Sequence, residues 1–114
     1  MHPESDRMRL TPSEIAAIEQ AARETFAPRS TILLFGSRLD DARRGGDIDL
    51  LVEPPLPLAP HELVERRNRF IARLYRLLGE RHIDVLIVPA GMPDDRPVIA
   101  TARRDGRLLA RVPE

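Results

Sequence analysis

Apolar positions change their period along the chain, and each change marks an element. Ile15, Ile18, Ala22 and Phe26 recur at intervals of three and four, the spacing of one helix face. Ahead of them, Thr11-Pro12-Ser13-Glu14 has the form of a capping box with proline at the first helical position. A helix is predicted from Thr11 until Pro28 breaks the pattern. From Thr31 to Phe35 the period disappears into a β-favouring apolar run closed by Gly36, which predicts a strand covered on both faces. Ser37 to Arg43 can form a brief helical turn, and Gly45-Gly46 permits a tight one. Asp47 to Glu53 reads as a second strand, stopped by Pro54, Pro55, Pro57 and Pro60.

Helical spacing returns from Glu62 to Gly79, where Leu63, Phe70, Ile71, Leu74, Leu77 and Leu78 form a stripe. Arg66, Arg67, Arg69, Arg73 and Arg76 are expected largely outside it, on a solvated or protein-binding face. His82 to Val88 predicts a third strand, Pro97 opens a last helix ending near Gly106, and Arg107 to Val112 adds an edge strand. Helix and strand segments alternate throughout, so the expected fold is α/β (α+β), a small mixed β-sheet packed with helices.

Composition narrows the setting. The chain has 114 residues, enough for one domain over 1–114, with 1–10 expected to be a flexible N-terminus. A hydrophobic fraction of 42% beside 32% charged residues is that of a folding globular chain. Eighteen Lys and Arg balance eighteen Asp and Glu, so charge gives no support for a basic nucleic-acid or membrane-surface binder. Cysteine is absent, which removes disulfides and thiolate metal sites and leaves oxygen or imidazole ligands. With no apolar leader and no membrane-length apolar segment, the expected location is the cytoplasm.

The candidate chemistry lies in carboxylates set into buried-looking strands. Asp47 and Asp49 are two apart, so in a strand they share a face while Ile48 and Leu50 turn the other way into the core. Asp84 interrupts the third strand in the same manner. If these strands are neighbours, about 4.8 Å apart, the three carboxylates converge. Such a group resists ionising unless a cation sits among it. Hard oxygen ligands point to Mg²⁺ or Mn²⁺, and Mg²⁺ commonly keeps substrate phosphate oxygens in its shell. Gly36-Ser37 supplies the complementary half. A glycine at a strand end lets backbone N–H groups approach a phosphate, and the serine hydroxyl adds a donor.

Gly36-Ser37, nine intervening residues, Asp47-Ile48-Asp49 and the later strand carboxylate Asp84 resemble the signature of the DNA polymerase beta-like nucleotidyltransferase superfamily. Within it the chain is similar to the minimal, MNT-type branch, whose members are about this short and act as antitoxins beside a helical HEPN-type toxin. The resemblance implies a nucleotidyltransferase fold. It also implies that Gly36 and Ser37 hold the β- and γ-phosphates, and that Asp47 and Asp49 bind the metal. Asp84 would share one metal and help deprotonate the attacking hydroxyl. Two ions about 3.5 to 4 Å apart would serve the entering and leaving oxygens. The implied reaction transfers AMP from ATP, with release of pyrophosphate, to a hydroxyl of a partner protein. That partner is expected because only about 26 residues follow Val88, too few for a second domain that grips an acceptor.

Other charged and imidazole groups have plainer readings. Asp40 and Asp41 fit a solvated turn, and Arg38 is a candidate for triphosphate binding. His2, His61 and His82 lack metal-ligand spacing among themselves. The arginine-rich helix is diluted by Glu62, Glu65 and Glu80, and Tyr75 is the sole tyrosine, so no direct nucleic-acid ligand is expected. Two alternatives stay open: a module that neutralises a toxin by contact alone, and a small-molecule nucleotidyltransferase of the antibiotic-modifying kind.

Overall fold

Helix α1 runs Pro12–Thr25 in the computed structural model, which describes residues 10–36 and 48–114. Ser37, Arg38 and Asp47 lie outside the described residues, as do the turns expected at Ser37 to Arg43 and Gly45-Gly46 and all but the last residue of the 1–10 stretch. The capping box forms as the sequence predicts: the Glu14 N–H donates to Thr11 Oγ1 at 3.1 Å, and the Thr11 N–H donates to Glu14 Oε1 at 2.8 Å. Two otherwise orphaned donors are thereby satisfied, an arrangement in which the cap alone contributes about 1 kcal/mol.

Strand β1 spans Thr31–Leu34, β2 Ile48–Glu53, β3 Ile83–Ile87 and β4 Arg107–Arg111. They form one sheet in the order β3-β2-β1-β4. β1 runs antiparallel to both β2 and β4, whereas β2 and β3 are parallel, which makes the sheet mixed. Parallel neighbours need a crossover, and helix α2, Pro60–Leu78, provides it. The ladder between β2 and β3 reaches one residue past each end of β3. The Ile48 N–H donates to the His82 carbonyl at 2.9 Å, and the Val88 N–H to the Val52 carbonyl at 3.0 Å. β4 is an edge strand, as expected.

α2 begins two residues before the expected Glu62. Pro60 was expected among the residues that stop β2, but it opens the helix, because a first-turn position leaves the N–H that proline lacks without an intrahelical partner in any case. At the other end Gly79 takes φ 84 and its N–H caps the Tyr75 carbonyl at 2.9 Å.

The period-two alternation of the strands sorts the core into two layers. Ile32, Leu34, Ile48, Leu50, Val52, Ile83 and Val85 face α1 and α2, where Ile18, Ala22, Phe26, Phe70 and Leu74 complete the main core. Phe26 and Phe70 meet edge to face, with ring centroids 5.1 Å apart. On the opposite face Leu51 and Val88 pack with Phe35 beneath helix α3, Pro97–Asp105, through Ile99 and Ala102. Both faces of β1 are thus covered, as its unbroken apolar run predicts. α3 closes against β1 at Gly106, where a Cβ would collide with the Ala102 carbonyl and lie 3.2 Å from that of Leu34.

Arg69 and Arg76 on α2 are exposed, as a solvated face requires, whereas Arg66 and Arg73 are half-buried against α1. Arg66 Nη1 donates to the Thr25 carbonyl at 2.7 Å and Arg73 Nη1 to Glu24 Oε1 at 2.9 Å, both on α1. These side chains clamp the helix pair, with their stems along its seam. Among the described residues no helix is long and apolar enough to cross a membrane.

Candidate active site

Asp49 and Asp84 are Cα partners in the parallel ladder of β2 and β3. Side chains of paired residues leave a sheet on the same side, so both carboxylates stand on the α3 face while Ile48, Leu50, Ile83 and Val85 point into the main core. Strand neighbours of this kind are about 4.8 Å apart at the backbone. The strand adjacency expected from sequence is therefore present and sets Asp49 and Asp84 side by side on one face, with Asp49 Oδ2 turned towards Gly36; Asp47 lies outside the described residues.

Among the described residues, the length of α3 explains why it does not cover this end of the face. Its nine residues span about 13 Å at 1.5 Å per residue, enough to cover Leu51 and Val88 but not the strand ends that carry Asp49 and Asp84. A cleft of about 400 Å³ remains, lined by Gly36, Asp49, Asp84 and Arg67, with Leu86 and Val98 as its apolar side. That volume lies within the range of small-ligand sites.

Gly36 approaches from the end of β1, held there because the Phe35 N–H donates to the Asp49 carbonyl at 3.0 Å. Its φ is 92, and a Cβ in its place would sit 2.6 Å from Asp49 Oδ2. Glycine is required twice over, by conformation and by the carboxylate packed against it. Asp84 is more open, with its side chain 55% exposed and His82 Nε2 3.4 Å from Oδ1. His82 thus stands beside Asp84 at the edge of the cleft.

Arg67, expected outside the stripe of α2, instead lies four residues after Leu63 and three before Phe70, on the stripe itself, and lines the cleft. That interruption of an apolar face by a cation was the available signal. Arg67 Nε donates to the Val85 carbonyl at 2.8 Å across the outer edge of β3.

The donor set suits a hard divalent cation: two carboxylates side by side on paired strands, with no sulfur lining the cleft among the described residues. Among the described residues no group of three or more His, Cys, Asp or Glu gathers for a metal, so these two carboxylates form an incomplete shell by themselves. Mg²⁺ commonly binds through one or two carboxylates with water and phosphate oxygens, which is compatible with that count. The chain matches no protein-family model, and no curated protein is significantly similar to it.

Proposed function

We propose that this chain is a metal-dependent nucleotidyltransferase that moves AMP from ATP onto a hydroxyl of a partner protein, as an antitoxin acting on a HEPN-type toxin. The observation that carries the reading is the in-register pair Asp49 and Asp84 lining one cleft on a single face of the sheet, with Gly36 packed against Asp49. The motif spacing of Gly36-Ser37 and Asp47-Ile48-Asp49 supports it from the sequence side.

In this reading Asp49 and Asp84, with Asp47, hold Mg²⁺ or Mn²⁺, which when bound neutralises phosphate charge and polarises the phosphoryl oxygens. Gly36 lets backbone come close to the β- and γ-phosphates, with Ser37 and Arg38 beside it. The acceptor oxygen attacks the α-phosphorus in line, the bond from that phosphorus to the bridging oxygen breaks, and pyrophosphate leaves. The acceptor proton passes to Asp84, whose exposed carboxylate is accessible to a docked partner. Little further chemistry is needed from the chain, because positioning and charge stabilisation account for most of phosphoryl-type catalysis.

The test is incubation with labelled ATP, Mg²⁺ and the product of the neighbouring gene. Label on that protein, lost in Asp49→Asn and Asp84→Asn, is the expected result. Neutralisation that survives both substitutions without label would instead establish a contact-only antitoxin, and label on an added aminoglycoside a small-molecule transferase.

A further inference from the structure

Arg67 differs from its neighbours on α2 in what its guanidinium does. The helix carries three half-buried arginines, Arg66, Arg67 and Arg73. Arg66 is 3.9 Å from Glu62 and also binds the Thr25 carbonyl, and Arg73 is 2.9 Å from Glu24. Arg67 uses only Nε, and among the described residues Nη1 and Nη2 make neither a hydrogen bond nor an ion pair. A guanidinium carries five donors, so most of its capacity is uncommitted.

Its position is set by the edge of the sheet. Even-numbered residues of β3 bond to β2, as His82 and Val88 show, so Val85 turns its carbonyl outward. Arg67 reaches over that edge, caps the carbonyl at 2.8 Å and enters the wall of the cleft that holds the two aspartates. Across the sheet the order is then Gly36 beside Asp49 on β2, Asp84 on β3, and Arg67 beyond β3. The carboxylates are flanked by a backbone approach on one side and a fixed cation on the other. Arg67 shares the cleft with Asp84 but forms no ion pair with it.

We infer that the terminal nitrogens of Arg67 bind phosphate oxygens of the nucleoside triphosphate from the outer wall of this cleft; the inference rests on the nucleotidyltransferase reading. A guanidinium presents a planar fork that matches phosphate oxygens, and one whose Nε is already anchored loses little freedom on binding. A purely structural Arg67 would cap the Val85 carbonyl and stiffen the edge of the sheet, with no preference for anionic ligands.

Calorimetric titration of the full chain in Mg²⁺ separates these roles, using ATP, inorganic tripolyphosphate and adenosine as probes, with thermal unfolding followed in parallel. Arg67→Met keeps an apolar stem, and Arg67→Lys keeps the charge without the fork. The expected result is about tenfold or greater weakening of ATP and tripolyphosphate in Arg67→Met, a smaller loss in Arg67→Lys, and unchanged adenosine binding. ATP binding as tight in both variants as in the wild type would overturn the assignment, as would equal weakening of adenosine. Wild-type chain that takes up tripolyphosphate through Arg67, but gains nothing from the nucleoside and transfers no label, would retain the anion site and defeat the transferase reading. Uptake of neither anion would defeat both.

Discussion

Gly36 and Asp49 are packed so closely that a single methyl group at Gly36 would stand 2.6 Å from Asp49 Oδ2. Gly36→Ala should therefore displace the Asp49 carboxylate, and it should also strain a backbone held at φ 92 by about 1–3 kcal/mol. The obstructing atom ends a short side chain, so the carboxylate moves more readily than the strand. The expected outcome is a folded protein with Mg²⁺-dependent nucleotide binding largely lost. Denaturant unfolding of a double-mutant cycle checks the contact: Gly36→Ala should cost less in an Asp49→Ala background, where only the φ strain persists.

The paired carboxylates should make stability depend on divalent cations. Asp49 and Asp84 occupy partner positions on adjacent strands, and like charges there repel. Added Mg²⁺ binds the folded form preferentially and should raise the wild-type Tm by a few degrees at saturating concentration. Asp49→Asn and Asp84→Asn should each flatten that response to Mg²⁺. A thermal shift series in Mg²⁺, Ca²⁺ and chelator reads this directly, and a full Mg²⁺ response in Asp49→Asn would contradict it.

Arg103 ties α3 to the sheet and to the segment after β3. Its Nε donates to Glu53 Oε2 at 2.8 Å, Nη1 to the Met92 carbonyl at 2.7 Å and Nη2 to the Pro89 carbonyl at 3.1 Å. The pair is only partly shielded, so solvent screening reduces its worth, and Arg103→Ala should cost about 1–3 kcal/mol. Arg103→Lys should recover little, since an ammonium cannot span three acceptors arranged for a fork. Urea unfolding should show a lower midpoint with an unchanged slope.

Asp94 provides a pH-dependent element just before α3. The Arg96 guanidinium and then the Arg96 N–H donate to its carboxylate and hold its pKa at about 2, down from 3.8. A depressed carboxylate stabilises the folded chain above its unfolded value, and that contribution is lost as pH falls from there through the folded value. The stabilisation should thus be complete above about pH 4 and fade towards pH 2. Carboxyl NMR titration should place the Asp94 midpoint near 2 in the wild type and close to 3.8 in Arg96→Ala.

Much of this arrangement is legible from local patterns. Thr11 and Glu14 predict a cap because both partners lie within one helical turn, and the apolar run at Thr31 predicts a covered strand because its composition leaves no polar face. Asp49 and Asp84 stand out in sequence because each interrupts a run that burial requires to be apolar. Pro60 is not legible in this way, because a proline reads alike after a strand and at the start of a helix until the following turn is placed.

By itself the amino-acid order determined which residues share a face, since side-chain direction follows from the periods of helix and strand within a few residues. Only the tertiary structure decided which faces meet. The placement of β3 beside β2 brings Asp84 level with Asp49, and the path of α2 carries Arg67 over the strand edge into their cleft. Those contacts join residues far apart along the chain, and their selection depends on how whole apolar surfaces pack together, which no local window of sequence encodes.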